Sequence, residues 1–132
     1  MFDVVQGLKD VLNRLKNEVD YVIESGSVTI GDCPWKWEKW KSGKAVCWCI
    51  KQVGATNNGG SVSGFYYRIV SYKYPTGLFV EAPTCVVNAK WGTGTSWGNM
   101  RDIGAEDFSA IYFSNQEIGA LCFHMYATGR WK

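Results

Sequence analysis

The sequence predicts a mainly β chain: an N-terminal coiled-coil helix followed by an antiparallel β-sandwich, with several copies of the chain wound together. Three observations carry this. The first two dozen residues hold an apolar 3-4 stagger. Everything after them breaks into short alternating stretches set off by glycine-rich turns. Aromatics make up 15% of the 132 residues, with seven Trp, a density that points to packed sheets, an oligomer interface or a stacking surface for ligands.

Met1, Val5, Leu8, Leu12, Leu15, Val19 and Val22 follow one another at gaps of four and three, which predicts a helix from about Phe2 to Glu24. Val5, Leu12 and Val19 take heptad position a; Leu8, Leu15 and Val22 take d. A narrow seam of this kind faces identical seams, since one short helix cannot bury it alone. Valine at a with leucine at d pulls towards two strands, whereas apolar Val4 and Val11 at g widen the seam towards three, so the helix leaves the count open. Gly26 is the expected C-cap, which divides the chain into a stalk helix over 1–26 and a head over 27–132. A seam that opens in mid-heptad at Met1 reads as the continuation of a longer stalk.

In the head, Ser27 to Ile30 reads as a short extended connector. Trp35 to Trp40 alternates indoles with charged residues and turns at Ser42-Gly43. Lys44 to Val53 has two apolar faces, Val46, Trp48 and Ile50 against Ala45, Cys47 and Cys49, so it is expected to be central and covered on both sides. Further strands are expected over Gly64 to Tyr74, Cys85 to Trp91, Ser109 to Ser114 and Ile118 to Thr128, with a short strand and turn over Met100 to Phe108 and a tight connection at Asn115-Gln116. Gly92 to Asn99 reads as a glycine-rich loop displaying Trp97.

Fourteen basic residues against twelve acidic, for a net charge of +2, give no electrostatic footprint for nucleic acid. No apolar stretch is long enough to insert in a membrane. The five cysteines follow no metal-ligand spacing and read as buried thiols of a chain assembled in a reducing cytoplasm; no metal and no cofactor is expected. His124, the sole histidine, shares a predicted face with Cys122 and Tyr126 and reads as a core or interface imidazole. No nucleophile motif accompanies it, and Asp102, Glu106 and Asp107 are too close in sequence to argue for a glycosidase pair, so no catalytic residues are assigned and no enzyme is expected.

The Trp35, Trp37, Trp40 and Trp48 group reads mainly as packing between sheets or where stalk meets head. Trp91 and Trp97 are the better ligand candidates, because a large indole flanking Gly, Thr and Ser has little local packing. Asn99, Arg101 and Asp102 would add donors and acceptors to those rings, the combination a sugar requires. Tyr66 and Arg68, alternate residues of one strand, form a second candidate.

The run Trp37-Glu38-Lys39-Trp40-Lys41-Ser42-Gly43-Lys44-Ala45-Val46-Cys47-Trp48 resembles a Trp/Tyr-x-Lys-Trp-x-Ser-Gly-x-Ala-x-Cys-Trp signature of phage tail structural proteins. Gly129-Arg130-Trp131-Lys132 is similar to that family's C-terminus, Leu78 to Pro83 to its Phe-x-x-x-Pro segment, and Tyr21 to Gly26 to its run-in. The resemblance implies a receptor-binding head domain of a phage or prophage tail fibre or baseplate protein, a homotrimer of H-type-lectin-like β-sandwiches. Its expected partner is a bacterial surface polysaccharide or other host receptor, and its expected place the virion. The stretch from Asn88 to Glu117 matches no shared pattern, so the ligand does not carry over. The alternatives are a bacterial carbohydrate-binding module or adhesin, and a purely structural trimerisation cap.

Overall fold

Asp3 starts helix α1 (Val4–Glu18), because its carboxylate accepts the backbone N–H groups of Val5 at 3.0 Å and Gln6 at 3.3 Å. The structure, a computed structural model, describes residues 3–53, 59–90, 96–115 and 121–132. No residue of α1 is buried, and the seam side chains Val5, Leu8, Leu12 and Leu15 stand 47–61% exposed.

The helix ends six residues before the expected Glu24. Val19 has left helical geometry (φ −95°, ψ 130°), and Val22 opens the first strand, β1 (Val22–Ile30). Two of the expected seam residues therefore lie outside the helix. Val19, Tyr21, Val22 and Ile23 are β-branched or aromatic and favour extended backbone. Asp20 also ties the exit to the head: its carboxylate accepts the Ser42 backbone N–H at 2.9 Å and the Ser42 hydroxyl at 2.6 Å. The Lys41 N–H completes the tie to the Tyr21 carbonyl at 2.9 Å. Gly26 is not a cap. It sits within β1 opposite Trp37, where a Cβ would come 2.7 Å from the indole.

The remaining strands are β2 (Cys33–Trp40), β3 (Lys44–Val53), β4 (Gly59–Val62), β5 (Phe65–Lys73), β6 (Thr84–Lys90), β7 (Ser96–Ile103), β8 (Asp107–Ser114) and β9 (Leu121–Arg130). They form an antiparallel five-stranded sheet, β1-β2-β3-β9-β6, and an antiparallel four-stranded sheet, β4-β5-β8-β7. The segment expected as a connector before Ile30 is thus an edge strand, and the loop expected to carry Trp97 is in part β7.

Both sheets contribute to one core. Trp35, Cys47, Phe123, Met125 and Ala127 face Val70, Phe108, Ala110 and Tyr112, and Tyr74, Leu78 and Phe79 from the chain after β5 close one end. Trp35 meets Tyr74 and Phe108 at centroid distances of 6.1 Å, and Tyr72 stacks on Phe123 at 5.4 Å. The tryptophan group is dispersed: Trp35 is buried, Trp37 packs against the core, Trp40 is half-buried under the Lys44 ammonium, and Trp48 lies on the outer face. β3 is central, and its Ala45, Cys47 and Cys49 face is buried; on the other face cover fades along the strand, from Val46 at 4% exposed to Ile50 at 60%.

All five cysteines are free. Cys33 and Cys49, sixteen residues apart, bring their sulfurs to 3.2 Å across the sheet. Burial pushes the Cys47 thiol far above its ordinary range, so it stays protonated and packs as a small hydrophobe.

The Ser42 hydroxyl, followed by backbone N–H groups of Ser42 and Tyr21, holds the Asp20 carboxyl below its ordinary value. A carboxylate depressed by folding adds stability above its unfolded pKa, about 3.9, and that stability is lost as pH falls through the lower folded value. An NMR titration should place the Asp20 midpoint lower in the parent chain than in Ser42→Ala. Equal midpoints would refute the Asp20–Ser42 tie.

Candidate functional site: a polar cleft beside an aromatic sheet face

Register decides which residues of the four-stranded sheet meet on its outer surface. Tyr67, Phe113 and Trp97 are neighbours across β5, β8 and β7; Ile69, Ile111 and Asn99 form the next row. Phe65 joins the first row from the end of β5, its ring 5.2 Å from Trp97 in an edge-on contact, while Trp97 stacks on Phe113 at 5.4 Å and 19°. Trp97 is therefore not a lone indole on a loop. It is a strand residue in an aromatic cluster, and it is still 39% exposed.

One irregularity in β7 brings in the chemistry. Met100 pairs with Ala110 and points to the core, yet the next pairing is Asp102 with Ser109. Arg101 is the extra, exposed residue of this bulge. Strict alternation would put Asp102 on the inner face with Met100. The bulge instead turns it outward, onto the face that carries Trp97 and Asn99.

Asp102 thereby completes a polar row, Ser71–Ser109–Asp102, across three strands. The Ser109 hydroxyl donates to the Asp102 carboxylate at 3.3 Å. The following outward pair is Lys73 and Asp107. These residues, with Ile30, Gly31, Tyr72 and Phe108, line a cleft of about 520 Å³ where the β1–β2 turn comes up to the ends of β5, β7 and β8. The turn passes through Gly31 (φ +55°) and Asp32 (φ +65°), left-handed conformations that Gly and Asp tolerate better than other residues. At the other side of the cleft, the Gly104 N–H donates to the Asp107 carbonyl at 2.8 Å and fixes the β7–β8 turn.

The expected site residues separate into three groups. Trp97, Asn99 and Asp102 share the outer face, with Arg101 beside them at the bulge. Tyr66 and Arg68 belong to the opposite, core-side face of β5; Arg68 is 3% exposed, which removes it as a surface contact. Trp91 lies outside the described residues. Ser71, Lys73 and Ser109 were missed by sequence reasoning, and Asp107 entered it only as a rejected glycosidase acid. Their only local signal was the polar break at the ends of two apolar strands.

A second hollow, also about 520 Å³, lies on the outer face of the five-stranded sheet, lined by Trp48, Ile50, Val86, Asn88, His124 and Tyr126 among others. Its exposed side chains are mostly apolar: Ile50 is 60%, Val86 62% and Tyr126 44% exposed. The face shared by Cys122, His124 and Tyr126 is as the alternation indicated, but His124 is exposed there and is no core imidazole. Among the described residues, no three metal-ligating side chains gather at any one place.

Because Trp97 packs on two rings, Trp97→Ala should cost about 1–2 kcal/mol in urea unfolding, and Trp97→Phe well under half of that. An unchanged unfolding midpoint for Trp97→Ala would mean that the cluster contributes no packing energy.

No protein-family model matches the chain, and no curated protein matches it. Among solved structures it is similar to an N-truncated R1-type pyocin tail fibre, with a TM-score of 0.55 and 12% identity over 97% of this chain and 98% of that one. At that identity the likeness is one of fold, running almost end to end through both chains.

Proposed function

We propose that this chain is the homotrimeric head of a tail fibre on a phage or phage-like particle, and that it attaches the particle to a glycan on the bacterial surface. The observation that carries the reading is the fold likeness to a pyocin tail fibre over nearly the whole of both chains. The sequence resemblance to phage tail structural proteins points the same way from separate residues.

Self-association is supported by two features of the single chain. The α1 seam is wholly in solvent, and a 15-residue helix is marginal in water without a packed apolar face. The outer face of the five-stranded sheet adds exposed Ile50, Val86 and Tyr126, an apolar surface better suited to a protein neighbour than to a polyol. The glycan reading rests on the polar cleft and the aromatic cluster lying on one sheet face. Three such faces on one particle tip would turn weak single contacts into firm attachment through effective concentration.

Light scattering on the intact chain should give three times its 14.8 kDa mass. Leu12→Asp, which puts a charge in the seam, should lower that mass and with it the retention of the chain on bacterial cells. A monomer for the parent chain would overturn the trimer. A trimer that no isolated wall polysaccharide or bacterial cell retains would favour the structural cap.

A further inference from the structure

We infer that the cleft at Asp102 and Asp107 takes the terminal sugar of a short surface oligosaccharide, and that this sugar is uncharged or amine-bearing rather than phosphorylated or uronic. The inference rests on the receptor-binding reading and assigns it a site and a ligand class.

The lining is composed for a polyol. Asp102 and Asp107 carry acceptor oxygens only, the Ser71 and Ser109 hydroxyls both donate and accept, and the Lys73 ammonium donates. Ile30 and Tyr72, both half-buried, supply an apolar wall to the same cleft, against which the C–H face of a sugar ring can lie. The Ser109 hydroxyl already holds one oxygen of Asp102, which fixes the carboxylate and leaves its other lone pairs for ligand hydroxyls. With no third metal-ligating side chain nearby among the described residues, the two carboxylates act as hydroxyl or ammonium acceptors rather than as a cation cage.

Charge sets the class. Two carboxylates against one ammonium leave the cleft net negative. A phosphate or uronate would meet like charge there, a repulsive element that discriminates among wall polymers. An uncharged sugar carries no such penalty, and an amino sugar gains from it.

The same face sets a length. The Ser109 row and the Phe113 row are four residues apart on β8, about 13 Å along the strand. Ile69, Ile111 and Asn99 lie between them. A saccharide whose end sits in the cleft therefore crosses a floor of two isoleucines and Asn99 before it reaches Trp97. A monosaccharide spans only the cleft.

The test is an NMR titration of the isotope-labelled intact chain with galactose, glucosamine and a trisaccharide of glucosamine, set against glucuronate and glycerol phosphate. Retention of the chain on bacterial cells is measured in parallel. The uncharged and amine-bearing sugars should shift amides of Ser71, Lys73, Asp102 and Asp107. The trisaccharide should bind at least tenfold tighter than glucosamine and should also move Trp97. Asp102→Asn keeps an acceptor for Ser109 and should weaken binding at least tenfold without changing the melting temperature. Saturable shifts at these residues with the anionic probes alone would overturn the charge assignment, and sugar-induced shifts confined to other faces would overturn the site. Retention on cells with no saccharide response would also overturn the cleft while leaving receptor attachment standing. Failure of both would remove the attachment reading as well.

Discussion

The two sheets are held in their relative positions by Trp35. It belongs to the five-stranded sheet and is 1% exposed, yet its indole N–H donates across the core to the Lys73 carbonyl of β5 at 2.9 Å. Its ring rests against Tyr74 and the edge of Phe108, both on the far side. Burial of a side chain this large is among the bigger single contributions to stability, and truncations of its kind cost about 3–5 kcal/mol. The hydrogen bond adds direction to that energy. It fixes the end of β5 under the β1–β2 turn, five residues or fewer from Trp35, and this apposition is what forms the cleft.

The residues that resemble phage tail proteins serve a second fixed point, where the helix meets the head. Gly43 turns with φ +97°, and a Cβ there would lie 2.7 Å from the Arg130 guanidinium. The Gly43 carbonyl accepts the Trp131 N–H at 2.8 Å, while the Trp131 indole donates to the Trp40 carbonyl at 2.8 Å. Arg130 reaches the Ser42 carbonyl at 3.3 Å, and the Lys39 ammonium lies over both Trp37 and Trp131. The Ser42-Gly43 turn and the C-terminal Arg130-Trp131 are thus one interlocked structure, onto which Asp20 brings the end of α1. Such residues identify a scaffold. They say little about what the scaffold displays, which is set by β5, β7 and β8 on the other sheet.

Strands with strict alternation were legible in the sequence: the bounds of β3 are those its two apolar faces indicated, and β5, β6, β8 and β9 lie within a few residues of expectation. The misreadings have physical causes. Val19 and Val22 satisfy a heptad and also favour extended backbone, and a tie to Ser42, some twenty residues away, decides between the two. Glycine suggested a loop around Trp97, but Gly98 lies in β7 because Tyr112 comes so near that a Cβ would sit 2.6 Å from its ring. Asp102 was named as a candidate without its surroundings. A bulge aims it outward, and its cleft partners come from β5, β8 and the β1–β2 turn, none adjacent in sequence.

The dependence of the cleft on the Trp35 bridge is tested most directly by Trp35→Phe, which keeps an aromatic ring in the core and deletes the N–H to Lys73. Measured by urea unfolding together with backbone amide shifts, the change should cost about 1–3 kcal/mol, with the largest shifts at Ile30, Gly31 and Ser71 to Lys73. Unaltered stability, with those amides unmoved, would contradict the view that one cross-sheet indole sets the geometry of the cleft.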